Sequence, residues 1–255
     1  MSGHSKWATT HRQKEITDKQ RAKEFTRRLR AVSVAVKTGG STDPDKNQQL
    51  KIAIQNAKGA NVPKDRIENA INKANTDNSN YASTMYAATW KNVQLMIMCT
   101  TDNTNRTVGE VRKILKDHNG NLVESSAMTY NFTEKGFFIV KKQFNTDFDE
   151  FLYSHDGIED GYEYDEDSCC IICAKSDFGS LQQCLEKENC EITDSGLKFY
   201  PINTIKIDEE NITIIDNLIQ ELEDLEDVQY VATNIENAIP QSLKKSFHHE
   251  NFTLS

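Results

Sequence analysis

Nowhere does the chain carry an apolar run approaching the roughly 18 to 20 residues that span a bilayer, and its charged start lacks the apolar stretch of a secretory signal. Both absences point to a soluble intracellular protein. The expected location is cytoplasmic, with no removable leader and no membrane association. Paired metal-ligand spacing is also missing. Cys170-Ile-Ile-Cys173 is formally a C-x-x-C, but no second knuckle accompanies it, and Ser168 to Ala174 reads as a buried strand. Cys99, Cys169, Cys170, Cys173, Cys184 and Cys190 are therefore expected to be structural free thiols. His4, His11, His118, His155, His248 and His249 are scattered without zinc-protease spacing, and Glu163, Asp165, Glu166 and Asp167 lack the spacing of a Ca²⁺ loop. There is no glycine-rich phosphate loop and no nucleophile placed beside a base. Catalysis, a resident metal and a cofactor are not expected.

Positive charge becomes scarce after the first third. Through Asn78 the chain has sixteen Lys and Arg against eight Asp and Glu, and the remainder has 14 against 31. Such a split suggests a basic arm that binds a polyanion, carried on an acidic body. From Thr17 onward Ala22, Phe25, Leu29, Val32 and Val36 recur at three- and four-residue steps, the spacing of one helix face. At 100° per residue Lys19, Lys23, Arg27, Arg30 and Lys37 fall together on another face, and Gly39-Gly40 supply the stop. Ahead of this helix, His4, Ser5, Lys6, Trp7, Arg12 and Lys14 form an arm of donors, cations and one aromatic with no apolar core of its own. Phosphates would take the cations, and Trp7 could stack on an exposed base. A solvated helix face is the competing reading, since net charge bears on solubility and binding rather than fold.

The 255 residues suffice for two or three compact units. Asp43-Pro44 reads as a helix start followed by the stripe Leu50, Ala53, Ile54 and Ala57, and Val62-Pro63 as another, followed by Ile67, Ala70, Ile71 and Ala74. Thr17 to Asn75 thus predicts a three-helix bundle, followed by a linker at Thr76 to Ser83. Next come a strand within Ala87 to Thr100, a helix from Asp102 or Asn105 to Asn119-Gly120, and a strand at Ala127 to Phe132. Far downstream lie a strand at Tyr200 to Ile207, a helix at Glu209 to Leu225 and a strand at Val228 to Asn234. Between these halves Gly136 to Thr193 repeats the order βαββαβ. The expected class is α+β: an N-terminal three-helix bundle followed by two ferredoxin-like α/β domains, one inserted in the other. The expected divisions are a basic arm and bundle at 1–78, one ferredoxin-like domain from 79–133 plus 200–239, its insert at 134–199, and a mobile tail at 240–255.

Thr101 to Thr107 sits where a strand ends and a helix starts, a place whose free amides can hold an anion, which makes Asn103, Asn105 and Arg106 candidate anion or RNA contacts. The alternative is a helix cap with Arg106 paired to a carboxylate. The Gly3-His4-Ser5-Lys6-Trp7 opening, the Lys23-x-Phe25-Thr26 step and Asn61-x-Pro63-Lys64-Asp65 together resemble the YebC/PmpR family. The resemblance covers most of Met1 to Asn75, resumes at Thr101 to Ser125 and returns from Pro201 to Val231. It implies a helical domain followed by two α/β domains. It also implies a role in regulating gene expression, since the family includes bacterial proteins described as transcriptional regulators and a mitochondrial translational activator. Where the family tends to have a glycine-rich Tyr-Glu-Gly-Tyr-Gly stretch, this chain has Ala-Ser-Thr-Met-Tyr-Ala-Ala-Thr, and Ile202 stands where a polar residue is usual. The combined reading is a monomeric, non-enzymatic regulator that contacts nucleic acid, favouring RNA of the ribosome. A DNA-binding transcriptional regulator and a protein-interaction scaffold with an acidic body are the alternatives.

Overall fold

The structure, a computed structural model, describes residues 18–76, 81–141, 146–155, 157–164 and 168–236, and its contacts divide the chain into two compact units, residues 1–80 and 81–255. The expected arm, the Thr76 to Ser83 linker beyond Thr76, the acidic residues 165–167 and the tail lie wholly or partly outside the described residues. The expected α+β class holds: an N-terminal helical region precedes two antiparallel sheets.

In the first unit, helices α1 (Asp18–Gly39), α2 (Gln48–Gly59) and α3 (Lys64–Thr76) bury the apolar stripes read from the periodicity. Val32, Val36, Leu50, Ala57, Ile67 and Ala74 form the core, with Phe25 and Leu29 packed against it. The start of α2 differs from expectation. Asp43 closes a local turn by accepting the Asp45 N–H at 3.1 Å, and the helix begins after Asn47, whose Oδ1 accepts the Leu50 N–H at 3.1 Å. Both residues can cap; Asn47 prevails because its buried amide also donates to Ala35 O at 2.7 Å and Ser41 O at 3.0 Å, tying the end of α1 to the start of α2. Gly39 makes room for it, since a Cβ there would collide with the Asn47 side chain.

The second unit holds two four-stranded sheets. One is built from β4 (Phe132–Lys141), α5 (Thr146–Ser154), β5 (Ile158–Tyr164), β6 (Ser168–Ala174), α6 (Phe178–Lys187) and β7 (Ile192–Pro201), with strand order β5-β6-β4-β7. This is the ferredoxin-like arrangement. Phe138, Val140, Cys169, Ile171 and Cys173 point to the helical face and meet Phe148, Leu152, Leu181 and Leu185. Gly136 lies under the start of α6, where a Cβ would stand 2.6 Å from Cys173 Sγ and 2.7 Å from the Phe178 ring. The last strand runs further than the expected Glu191 to Thr193. Gly196, which reads as a breaker, sits inside it beneath the Phe137 ring, 3.3 Å from where its Cβ would be.

The other sheet has order β3-β1-β2-β8, from β1 (Ala82–Trp90), β2 (Val93–Thr101), β3 (Asn121–Val123) and β8 (Val228–Thr233). Helices α4 (Thr104–Asp117) and α7 (Glu209–Asp224) cover one face through Val111, Leu115, Ile215, Leu218 and Leu222. The expected single strand from Ala87 to Thr100 is a hairpin, turning at Lys91, which takes a positive φ of 53°. The hairpin changes the topology. Its first strand lies between β2 and β3, the place that the expected Tyr200 to Ile207 strand would have taken. Tyr200 and Pro201 instead end β7 in the other sheet, and the rest of that segment supplies only an isolated bridge from Ile205 to Ile235. The expected strand at Ala127 to Phe132 is two 3₁₀ turns, Ser125–Ala127 and Thr129–Asn131. Met128 and Phe132, four apart, fall on one side of these turns and bury with Ala87, Met96 and Ala232 against the helix-free face of this sheet.

Replacing Asn47 with Ala removes one cap and two further buried hydrogen bonds and should cost about 2 to 4 kcal/mol. Hydrogen exchange of the α1 and α2 amides would report the loss. Gly39→Ala should be destabilising alone but close to neutral in the Asn47→Ala background, because the collision is gone. Additive costs would refute the assignment.

Candidate nucleic-acid interface

In the first unit, α1 places Lys23, Arg27, Arg30 and Lys37 beside the buried stripe, and all four are half-buried. That suits long side chains whose stems lie along apolar surface while their charges reach water. Glu24 pairs with two arginines of the helix: its Oε1 accepts from Arg28 Nε at 2.7 Å, and its Oε2 is 3.6 Å from Arg27 Nη1. At the helix end Lys37 joins Gly40, Ser41, Thr42 and Asn75 around a small open cavity of about 190 Å³. Lys19 belongs to the first turn of α1. His4, Ser5, Lys6, Trp7, Arg12 and Lys14 lie outside the described residues.

In the second unit, the Thr101 to Thr107 segment is organised by a carboxylate that its own sequence does not contain. Asp227, 2 % exposed, accepts at Oδ2 from Thr107 Oγ1 at 2.6 Å, Arg106 Nη2 at 2.8 Å and Thr101 Oγ1 at 2.9 Å. Thr107 Oγ1 and Thr101 Oγ1 are 2.8 Å apart, and the Thr101 oxygen accepts the Asn103 N–H at 2.9 Å. Asn103 caps α4 by accepting the Arg106 N–H at 3.1 Å. Arg106 also donates to Asp102 Oδ1 at 2.9 Å, so its guanidinium spans two carboxylates, with 44 % of the side chain still exposed. The hydrogen bond and charge of Asp227 hold the guanidinium above its ordinary range. Asn105, at the second position of α4, is exposed. The two carboxylates outweigh the single cation here, so the helix start offers an incoming phosphate little net attraction.

The thiols are placed by the sheets. Cys170 and Cys173 are three apart in β6 and so project from opposite faces. Among the described residues no three His, Cys, Asp or Glu side chains gather as metal ligands, and no helix is long and apolar enough to cross a membrane. Burial, reinforced by the Asp227 charge, pushes the Cys99 thiol up to about 12.

Two family models account for most of the chain: residues 5–77 match the TACO1/YebC N-terminal domain, and 81–235 match the TACO1/YebC second and third domain. The chain belongs to the TACO1/YebC family. A relative from Amoebophilus asiaticus, named probable transcriptional regulatory protein, is 37% identical over 249 residues, covering 93% of this chain and 99% of its own length. Another of the same name, from Desulforamulus reducens, is 36% identical over 242 residues, covering 92% and 99%. The crystal structure of a conserved hypothetical protein from Aquifex aeolicus aligns with a TM-score of 0.78 at 33% identity, over 86% of this chain and 91% of the other. The residue that completes the Thr101 to Thr107 cluster, Asp227, carries no local signal. It is a single acid among several after α7, and only the closure of the sheet brings it to Arg106.

Asp227→Ala should cost about 2 to 3 kcal/mol, the scale of losing charged hydrogen bonds to three donors only partly able to find other partners. Urea unfolding followed at Trp90 would measure it. A thiol whose pKa is higher in the folded chain binds its proton more tightly there. The contribution of Cys99 is therefore complete below its unfolded value of 9.0 and is lost as pH rises towards about 12. At pH 8 Cys99 should resist iodoacetamide in the folded chain and react in urea, read by mass spectrometry.

Proposed function

We propose that the chain is a non-enzymatic regulator of gene expression that works by binding RNA, with ribosomal RNA as the favoured target, in the cytoplasm and as a monomer. The observation that carries this reading is the division of charge: sixteen cations to eight anions through residue 78, then 14 to 31 in the rest. Affinity is assigned to the arm residues His4, Ser5, Lys6, Trp7, Arg12 and Lys14 and to the α1 residues Lys19, Lys23, Arg27 and Arg30. Lys and Arg on phosphates supply binding with little sequence selectivity, while Trp7 adds a stacking surface. In this reading Asn103 and Arg106 hold a loop together, and exposed Asn105 remains its candidate contact.

A second reading, DNA-binding transcriptional regulation, is favoured by the names that the bacterial relatives carry. Major-groove readout wants side chains such as Asn or Gln to read base edges alongside the cations. The basic face of α1 presents Lys23, Arg27, Arg30 and Lys37 without such a set.

Deleting residues 2–14, or neutralising Lys6, Arg12 and Lys14, should weaken RNA binding while the circular dichroism of the chain stays unchanged. Each lost phosphate contact should flatten the plot of log affinity against log salt by about 0.7 to 0.9. Trp7→Ala should cost about 1 to 3 kcal/mol with the slope unaltered. Parallel titrations with ribosomal RNA and promoter-length duplex DNA separate the two readings. Indifference of affinity and slope to the deletion and to Arg27→Glu/Arg30→Glu together would sink both.

A further inference from the structure

Helix α4 turns a basic face to solvent in a unit that carries 31 Asp and Glu against 14 Lys and Arg. Its buried side is Thr107, Val111 and Leu115, and on the opposite side Asn105, Gly109, Arg112 and Lys116 follow one another at steps of four, three and four. All four are exposed, as is Lys113 beside them. Arg106 is held by Asp102 and Asp227, whereas Arg112, Lys113 and Lys116 make no ion pair or side-chain hydrogen bond with any described residue. The acids of the helix, Glu110 and Asp117, lie about 100° to 120° round the axis from Lys116, to one side of the row. Gly109 adds an independent observation. A Cβ there would meet nothing within 4 Å, so packing does not demand glycine, and glycine inside an exposed helix is destabilising relative to alanine. What it provides is access, a stretch of bare backbone between the cations that another backbone can approach closely.

We propose that this face of α4 binds the backbone of double-stranded RNA, with Arg112 and Lys116 on phosphates, Gly109 beneath the strand and the Asn105 amide at a sugar hydroxyl. The inference rests on the RNA reading above and deepens it, adding a contact in the second unit and naming the form of RNA that contact takes. The helix has no aromatic residue, so an unpaired base finds nothing to stack on. A duplex needs none, because it is recognised through its phosphates, its 2′-hydroxyls and its shape. From Asn105 to Lys116 the row runs about 16 Å, long enough to meet phosphates several nucleotides apart. Contacts of this kind hold many sequences about equally.

The test uses the full chain, titrated at several salt concentrations with a fluorescent RNA hairpin, a DNA hairpin of the same sequence and oligouridine, each variant being checked for folding by circular dichroism. Arg112→Gln/Lys116→Gln should weaken RNA-hairpin binding about fivefold to tenfold and flatten the salt slope by roughly 1.8, two duplex contacts at about 0.9 each. Oligouridine binding should not change. Gly109→Gln should weaken the hairpin about fivefold with the slope unaltered while raising Tm, since glycine is the poorer helix former. Asn105→Ala should weaken the RNA hairpin about threefold and leave the DNA hairpin unaffected, because only RNA has the 2′-hydroxyl. A folded double Gln variant with wild-type affinity and slope overturns the proposal. So does an equal loss per charge from Lys187→Gln, an exposed cation elsewhere in the unit, which would make the effect one of net charge. If the wild type binds oligouridine but no hairpin, or if hairpin binding is lost on deleting residues 2–14 yet indifferent to these variants, only this proposal falls. A wild-type chain that binds none of the RNA probes removes it together with the RNA reading.

Discussion

One buried carboxylate closes the second unit. Asp227 joins three donors from the end of β2 and the start of α4, and its backbone carbonyl accepts the Thr100 N–H at 2.8 Å. Between Thr107 and Asp227 the chain builds the whole of the other sheet. Bringing two such distant points together costs entropy, but that cost grows only with the logarithm of loop length. A charged hydrogen-bond cluster in a water-poor place is therefore enough to make the long excursion tolerable. With Asp227 seated, β8 pairs with β2, α7 lies on the sheet beside α4, and the β2 edge is covered.

The same closure explains why two sheets of related architecture have different chain paths. In the sheet ordered β5-β6-β4-β7 all four strands arrive in sequence, and the connections are the familiar ones. In its neighbour the strand between β2 and β3 comes from the hairpin that opens the unit, so the excursion through the other sheet need return only a helix and an edge strand. Helices occupy one face of each sheet. The opposite face of one is filled by Met128, Phe132 and Met96; that of the other keeps Lys135, Lys198 and Phe137 together.

Charge is arranged on a different principle from packing. The cations of α1 flank its apolar stripe at helical spacing and stay at the water boundary, with their stems along apolar surface. Three of those in the second unit pair with carboxylates: Arg106 with Asp102 and Asp227, Lys175 with Glu134, Lys141 with Glu191. A cation already held between carboxylates is a fixture of the fold, and its presence near a helix start says little about ligands.

Periodicity alone determined the three helices of the first unit, the two helices over each sheet and the buried nature of β6, because a face that must leave water imposes its period on the residues that form it. The basic character of the N-terminal third was equally legible, since formal charge needs no coordinates. The start of α2 was not, because Asp43 and Asn47 both satisfy the local rule and the choice was made by the carbonyls of Ala35 in α1 and of Ser41 just after it. Nor was the turn at Lys91, where a residue without turn preference accepts a positive φ so that β1 and β2 can pair over nine rungs. Asp227 and the pairing of Lys135 with Lys198 belong to the same category: each is defined by a partner more than sixty positions away or on another strand, and only tertiary contact supplies it.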